Sequence, residues 1–325
     1  MRLPVRLVGV ASVLSALLSP AAAVAAEQGA PRGAASASSP SPASSDAGRA
    51  GSLRLTWERF RPLTTPTEES PPGGVALAPN GDVVVQRRGN RLLRFDDRGR
   101  LVSRVTLGPP YAGAGFGVEV APDGLVHVPE GRSRDRDGSV WVVKRGGELV
   151  RTYSAGTTSG RPFSPDDVAV AKDGTQWVLE DLSDTLWRFD PDSEDEPVAH
   201  TGVRMRQTDS ITTTSKGVAV ADYGKHKVHL FDRQGRYLSS FGGLGTGDGK
   251  FQDGPYSVAW TGRWLLVVDA SRRIQAFTPT GDFVGAVRGP YNTRDIDAGR
   301  GGRIAITGNT SGGSQGVFWL RISAR

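Results

Sequence analysis

Gly217-Val-Ala-Val-Ala-Asp222, Tyr223-Gly-Lys-His-Lys227, Val228-His-Leu-Phe231, Asp232-Arg-Gln-Gly-Arg236, Tyr237-Leu-Ser-Ser-Phe241-Gly-Gly243: apolar and small residues alternate here with polar ones, and glycine or aspartate stands at every break. Period-two alternation punctuated by turn residues predicts three consecutive short antiparallel strands. A run opening at Ile211 precedes them and supplies a fourth. Comparable runs open at Val75, Val118, Val168, Val258 and Ile296, at steps of 38 to 50 residues. In a strand-rich chain, periods of about 40 to 50 residues mark propeller blades, and four strands joined by tight turns make one blade. The predicted fold is therefore all-β, a six-bladed β-propeller of four-stranded blades.

The sixth unit runs Ile296-Asp-Ala, Arg303-Ile-Ala-Ile-Thr307 and Gly316-Val-Phe-Trp-Leu-Arg-Ile322, and lacks a fourth strand. Leu53-Arg-Leu-Thr-Trp57-Glu-Arg-Phe60 alternates like a strand and has no unit of its own. A propeller closes its ring to avoid an exposed edge. N-terminal pairing of residues 53 to 60 with the last blade is the predicted closure.

Before that strand the chain reads differently. Arg2 and Arg6 give a positive start, Leu7 to Leu18 is apolar, and Ala21 to Ala26 is a small-residue stretch. These are the parts of a secretory signal peptide, residues 1–26, with cleavage after Ala25 or Ala26 equally well matched. The apolar run is shorter than the roughly 20 residues a membrane-spanning helix needs, so no stable membrane insertion is expected. Residues 27–51 are almost wholly Ala, Ser, Pro and Gly. Such a segment buries too little apolar area to offset its ordering entropy and is predicted to be a disordered linker, or else a glycosylated stalk of similar composition. The propeller then occupies residues 52–325, and the protein is expected to be secreted, extracellular or in the cell envelope.

The chain has no cysteine, which excludes thiol chemistry, Fe–S clusters and cysteine-ligated zinc. A domain this long buries enough of its surface to be stable without disulfides. The net charge of +6 is spread rather than clustered, with Arg87-Arg88, Arg132 to Arg136 and Arg272-Arg273 in predicted turns. For an exported protein this argues for a solvated surface, or weak attraction to anionic envelope polymers, and no nucleic acid.

The fourth unit, with its linker Gly243-Leu-Gly-Thr-Gly-Asp-Gly-Lys-Phe251 and the following Gly254-Pro-Tyr-Ser-Val258, closely resembles the NHL-repeat β-propeller family. The same frame recurs more loosely as Leu92-Leu-Arg-Phe95-Asp96, Leu186-Trp-Arg-Phe189-Asp190 and Ile274-Gln-Ala-Phe277, so the resemblance spans roughly Gly73 to Arg325. It implies a secreted bacterial member of that family acting as a protein or ligand binding module, and a monomer.

Turns between first and second strands read Pro79-Asn-Gly-Asp82, Pro122-Asp-Gly124 and Lys172-Asp-Gly174. Asn-Gly and Asp-Gly supply the positive φ values of two-residue hairpins and carry no functional weight. At the end of the second strand stand Arg87, Glu130, Asp181, Asp222, Asp269 and Gly308. A short carboxylate before a glycine turn accepts that turn's backbone N–H groups, so these are read as structural. The seven tryptophans fall mostly in strand frames and are expected to pack between blades.

Chemistry is expected where the inner strands open onto one mouth of the central channel. The two positions before each apolar run are Gly73-Gly74, Phe116-Gly117, Asp166-Asp167, Asp209-Ser210, Tyr256-Ser257 and Arg294-Asp295. One position into the strands, small residues prevail, and Glu119 and Asp297 depart from them. The candidate ligand-binding residues are thus Asp166, Asp167, Asp209, Tyr256, Arg294, Asp295, Glu119 and Asp297. No cofactor is required, but such an acidic ring could hold Ca2+ or another divalent cation through Asp167, Asp209 and Asp295. Equally, the carboxylates could pair with Arg294 and nearby backbone amides.

No catalytic residue can be assigned. His127, His226 and His229 fall in second and third strands and His200 in a fourth-strand connection, so none is expected at the mouth. Amidating lyases that share the repeat need histidines there for zinc, and gluconolactonase-like propellers need a glutamate where this chain has Gly73-Gly74. Virginiamycin-type lyases need a histidine and glutamate on inner elements, a pair with no match here. The alternative to a binding module is a metal-dependent propeller enzyme, a lyase or lactone hydrolase, using the acidic mouth. Insertions at Gly131–Gly138 and Asp190–Glu196 offer exposed loops that could meet a partner.

Overall fold

The computed structural model describes residues 53–60, 72–87, 91–108, 117–132, 137–156, 163–180, 183–191, 197–200, 202–309 and 315–324. The predicted signal peptide, the linker, Phe116, Asp181 and parts of both loop insertions lie outside the described residues. Six four-stranded antiparallel sheets follow one another along the chain as six blades. Their innermost strands are Pro72–Leu77, Glu119–Val120, Pro165–Val170, Thr208–Thr213, Pro255–Trp260 and Ile296–Ala298. Blade six is ordered Leu53–Phe60, Gln315–Ala324, Arg303–Asn309, Ile296–Ala298, so the first strand of the chain is the outermost strand of the last blade. Leu53 pairs with Ala324 and Phe60 with Phe318, which closes the ring as expected.

Burial follows position in the blade. The second strands Val83–Arg87, Gln176–Glu180, Gly217–Asp222 and Leu265–Asp269 are buried at every residue. The fourth strand Leu149–Tyr153 is exposed along most of its length. A strand sandwiched between neighbouring blades has no solvent face, which suits Val- and Leu-rich runs. Accordingly the core lies at the seams. Ala76, Val84 and Leu92 of blade one pack with Val118, Val126 and Val143 of blade two. Val75, Val83 and Leu93 turn the other way, to Ala305 and Val317 of blade six. Each such aliphatic side chain contributes about 1.5–3 kcal/mol when fully buried.

The hairpins after the inner strands differ from the two-residue form expected. Ala78 N–H donates to Asp82 O and Gly81 N–H to Ala78 O, both at 2.9 Å, so the loop is three residues long and ends on the glycine. Only the glycines adopt positive φ, 88° at Gly81, 87° at Gly124 and 89° at Gly174. The preceding Asn80, Asp123 and Asp173 instead accept the backbone N–H two residues on, at 3.2, 2.9 and 3.1 Å. That side-chain cap favours a type I turn followed by a left-handed glycine.

The acidic position at the end of the second strand also needs one correction. Pairing of Pro165 with Glu180, as of Pro255 with Asp269, puts Glu180 in that position in blade three, and not Asp181. These carboxylates are structural. Glu130 accepts the Trp141 indole N–H at 2.6 Å, and Glu180 that of Trp187 at 2.9 Å. Asp222 accepts Lys225 N–H at 2.9 Å and Arg206 N–H at 3.0 Å, with His229 Nε2 at 3.0 Å. Trp177 and Trp187 are buried and Trp141 and Trp319 pack against the core clusters, so these four are interior residues.

Candidate functional site at the channel mouth

One irregularity of the inner strands builds the mouth. In blade three Pro165 pairs with Glu180 and Asp167 with Leu179, leaving Asp166 as an extra residue. Asp209 is the extra residue in blade four and Tyr256 in blade five, and the shift between Pro72 and Val75 places the same bulge at the glycines of blade one. A β-bulge bends the strand and re-aims the side chain it inserts. Here it presents Asp166, Asp209 and Tyr256 to a cavity of about 460 Å³.

Of the eight candidates, Asp166, Asp167, Asp209, Tyr256, Arg294 and Asp295 line this cavity, with Gly73 and Gly117 contributing bare backbone. Glu119 and Asp297 do not line it. Phe116, at the matching position of blade two, falls outside the described residues.

In blades three to six the residue just before the apolar run is a latch between blades. Asp167 accepts Val168 N–H at 2.8 Å on one oxygen and Ile211 N–H of blade four at 2.9 Å on the other. Ser210 accepts Val258 N–H of blade five at 3.3 Å, and Ser257 accepts Ile296 N–H of blade six at 3.2 Å. Asp295 accepts Ile296 N–H at 2.9 Å, Val75 N–H of blade one at 2.7 Å and the Ser257 hydroxyl at 2.6 Å. Asp297 repeats the pattern two residues on, taking Ala298 N–H at 2.7 Å and Leu77 N–H at 2.6 Å. Glu119 likewise accepts the Val170 N–H of blade three. The carboxylates therefore join blades through amides, and Arg294 forms no ion pair with them among the described residues.

Buried Asp167 of blade three and half-buried Glu119, Asp295 and Asp297 of blades two and six lie within electrostatic reach of one another, and their acidity falls as a result. Burial, then repulsion from Asp297 and Asp167, raises Glu119 well above the usual carboxylate range. Burial and the charge of Asp295 raise Asp167 in the same way. Asp295 is pushed up to about 7, chiefly by burial, against the pull of Ser257 and the Val75 amide. Asp297 is raised by burial as well. A group of this kind holds protons near neutral pH.

Among the described residues no three histidine or acidic side chains converge as a metal-binding group. Asp167 and Asp295 line the cavity with Asp209, but both oxygens of each already accept amide hydrogens.

Sequence reading missed the other half of the rim. Gln207, Arg272, Tyr291, Asn292 and Thr293 also line the cavity. Arg272 donates from Nε to Pro290 O at 3.1 Å and from Nη2 to Gly289 O at 3.0 Å, and its guanidinium lies 3.4 Å from the centroid of the Tyr291 ring. Its neighbour Arg273 turns the other way, giving Nη1 to Thr246 O at 2.7 Å in the inter-blade loop. Adjacent arginines in a turn carry no sign of this division. Gln207, Arg272 and Asn292 have φ of 58°, 69° and 45°, so three of the five non-glycine residues with positive φ among the described residues sit on this rim. Such conformations persist only where the surroundings impose them, and they cluster at ligand clamps.

Tyr256 stacks on Tyr223 with centroids 5.1 Å apart and planes 14° apart. Burial, Tyr223, and the charges of Asp209 and Asp253 raise its hydroxyl pKa. The four histidines all fall among the described residues, and none of them lines the cavity. His127 contacts the Tyr153 hydroxyl at 3.1 Å, His229 sits on Asp222, and His200 packs on Trp177 at 5.6 Å. His226 lies in the turn before its third strand, where it ends a short 3-10 segment, rather than in a strand.

No protein-family model and no curated protein sequence matches this chain. Solved structures do. A gluconolactonase from Xanthomonas campestris is similar with a TM-score of 0.58 at 17% identity, over 81% of this chain and 89% of that one. The PQQ-bound aldose sugar dehydrogenase of Streptomyces coelicolor gives 0.58 at 17% identity, over 84% and 98%. An inactive virginiamycin B lyase from Staphylococcus aureus, solved with quinupristin, gives 0.54 at 13% identity, over 83% and 99%. At these identities the likeness is one of fold, and the chain shares the β-propeller architecture of these enzymes.

Proposed function

We propose that this chain is an exported NHL-type propeller that serves as a binding module, holding a small polar ligand or an exposed group of an envelope component at the channel mouth. The observation that carries the reading is the cavity of about 460 Å³ into which bulged polar residues of successive blades converge. Ligand sites are concave, largely preformed and furnished with a few convergent polar groups. The leader-like first 26 residues and the repeat resemblance support export and family. The lack of a histidine on the lining and the amide-held carboxylates weigh against a resident catalytic metal. The protein is taken as a monomer.

The test is native mass spectrometry of the full chain after incubation with envelope extract. A discrete adduct on the wild type that is lost in both Tyr256→Ala and Asp209→Ala supports the proposal; no adduct, or one retained by both variants, sinks it.

A second reading is a metal-dependent lyase or lactone hydrolase, favoured by the proton-holding carboxylates at the mouth and by lyase and lactonase among the fold neighbours. Asp167, Asp209 and Asp295 would hold the cation, with Asp167 and Asp295 giving up strand amides to do so. Stoichiometric metal in the purified protein, together with turnover of a lactone, would establish it over the binding module.

A further inference from the structure

The geometry points to an organic monocarboxylate as the ligand of the mouth, its carboxylate group held by Arg272 and supported by Arg294 from the same rim. This rests on the binding-module reading and names the class of ligand.

The cationic side of the rim is a single built unit. Arg272 stands in the turn between the second and third strands of blade five, and residues 289–294 lead into the inner strand of blade six. That leading segment is fixed. Tyr291 exchanges backbone hydrogen bonds with Asn309 at 3.0 and 2.6 Å, and the buried Thr293 hydroxyl donates to Pro290 O at 3.0 Å. Arg272 is docked on the segment through Nε to Pro290 O, Nη2 to Gly289 O and its guanidinium face on the Tyr291 ring. The same segment carries Arg294, whose exposed residue also lines the cavity. One stretch of backbone therefore sets both guanidinium groups on the rim.

These two cations have donors to spare. The Nη1 hydrogens of Arg272 meet no acceptor among the described residues, and Arg294 forms no ion pair there. The acidic side chains of the lining are engaged within the protein. Asp269 holds Ser271 and Arg273, Asp167 and Asp295 hold inner-strand amides, and Asp166 and Asp209 have interactions of their own. The ionic hydrogen-bonding capacity left in the cavity is thus cationic and calls for an anion. A guanidinium oriented in advance binds a planar carboxylate with little further loss of freedom. Arg272 and Arg294 can meet one negative charge, whereas a second would face the five aspartates of the lining, which disfavours a dianionic phosphate. The body of the ligand meets Tyr256, whose ring is braced by Tyr223 at 5.1 Å, and a cavity of about 460 Å³ is ample for a sugar or an aromatic ring.

The experiment is isothermal titration calorimetry of the full chain with D-glucuronate and benzoate, their uncharged counterparts D-glucose and benzyl alcohol, and the phosphate monoesters of glucose and phenol. At least one carboxylate is expected to bind about tenfold more tightly than its uncharged counterpart. Glucuronate as the tighter of the two marks a hydroxylated body, and benzoate an aromatic one. Arg272→Lys keeps the charge and loses the planar fork, so it should weaken that binding about tenfold. Arg294→Gln should weaken it about threefold with an unchanged thermal midpoint. Arg294, exposed and outside the latches, keeps the test open should Arg272→Lys fail to fold. If neither carboxylate exceeds its uncharged counterpart, or if both variants bind as the wild type does, the inference is overturned. A phosphate monoester binding more tightly than the matching carboxylate overturns it in favour of a phosphate ligand. Silence from every probe also overturns the monocarboxylate, and the binding module falls with it only where envelope extract yields no adduct either.

Discussion

The Asp295 carboxylate accepts the backbone N–H of Val75 at 2.7 Å, joining the last blade to the first across 220 positions of sequence. Asp297 and Leu77 repeat the bond at 2.6 Å, so two carboxylates clasp the ring at the seam where the chain closes. A strand amide at this seam has no ladder partner on the channel side, and the neighbouring blade's side chain supplies one.

Replacing Asp295 with alanine strands the Val75 amide and leaves the Ile296 amide with only its 3.2 Å bond to the Ser257 hydroxyl. The expected cost is about 2–4 kcal/mol in urea unfolding at pH 7, the range for removing one partner of a buried hydrogen-bonded charge. Ser257→Ala leaves the Val75 bond in place and should cost about 1 kcal/mol. Equal, small effects from the two substitutions would show that the clasp contributes nothing.

The protonation of the channel predicts a pH dependence. Asp295, with its ordinary value of 3.8 raised to about 7, binds its proton more tightly in the folded protein than in the unfolded chain. Its stabilising contribution is therefore complete below about 3.8 and is lost as pH rises through about 7. Glu119, Asp167 and Asp297 shift in the same direction. His127 opposes them. Burial and then Arg151 depress it from 6.5 to about 4, so its contribution is present above 6.5 and is lost as pH falls towards 4. The wild-type urea midpoint should rise from pH 8 to pH 6 and less steeply below, while that of His127→Phe should keep its steeper rise to pH 5. A midpoint flat from pH 8 to pH 6 contradicts the assignment.

Gly117 is required by its neighbour. A Cβ there would lie 1.7 Å from Asp167 Oδ1 and 2.9 Å from the Asp167 Cα, so relief means moving backbone as well as the latch. Gly117→Ala is expected to cost about 3 kcal/mol, at the upper end for overpacking. Gly124→Ala meets nothing within 4 Å and pays only for a φ of 87°, about 1 kcal/mol. Chemical denaturation of both separates a crowded site from a strained one; similar losses would mean that Asp167 adapts readily.

Deleting residues 53 to 60 removes the outermost strand of blade six and exposes the edge of Gln315–Ala324. The thermal midpoint should fall on the order of 10 °C, with faster aggregation. An unchanged midpoint would mean that the closing strand is dispensable.

Local sequence carried the architecture because the causes of a blade are local. The alternation around Val218, Val220 and Val228, the glycine of each Asx turn and the return of the run every 38 to 50 residues all act within one unit and repeat. The missing strand of blade six was legible for the same reason, since Leu53–Phe60 had nowhere else to pair. The mouth positions could be found by counting back from each apolar run, and that is how six cavity-lining residues were identified. Their roles could not. Whether Asp167 binds a ligand or an amide depends on Ile211, 44 residues away, and whether Arg272 is a solvated turn residue or a fixed part of the rim depends on Gly289, Pro290 and Tyr291.

Thus the sequence by itself determined the blades, their number and the closing strand, because strand periodicity and turn chemistry are short-range. Only the tertiary structure decided that the acidic ring is a set of inter-blade latches and that Arg272 is a fixed part of the cavity rim. Both depend on which backbone or side-chain group of another segment each one meets, and that meeting exists only once the separated units close around a common axis.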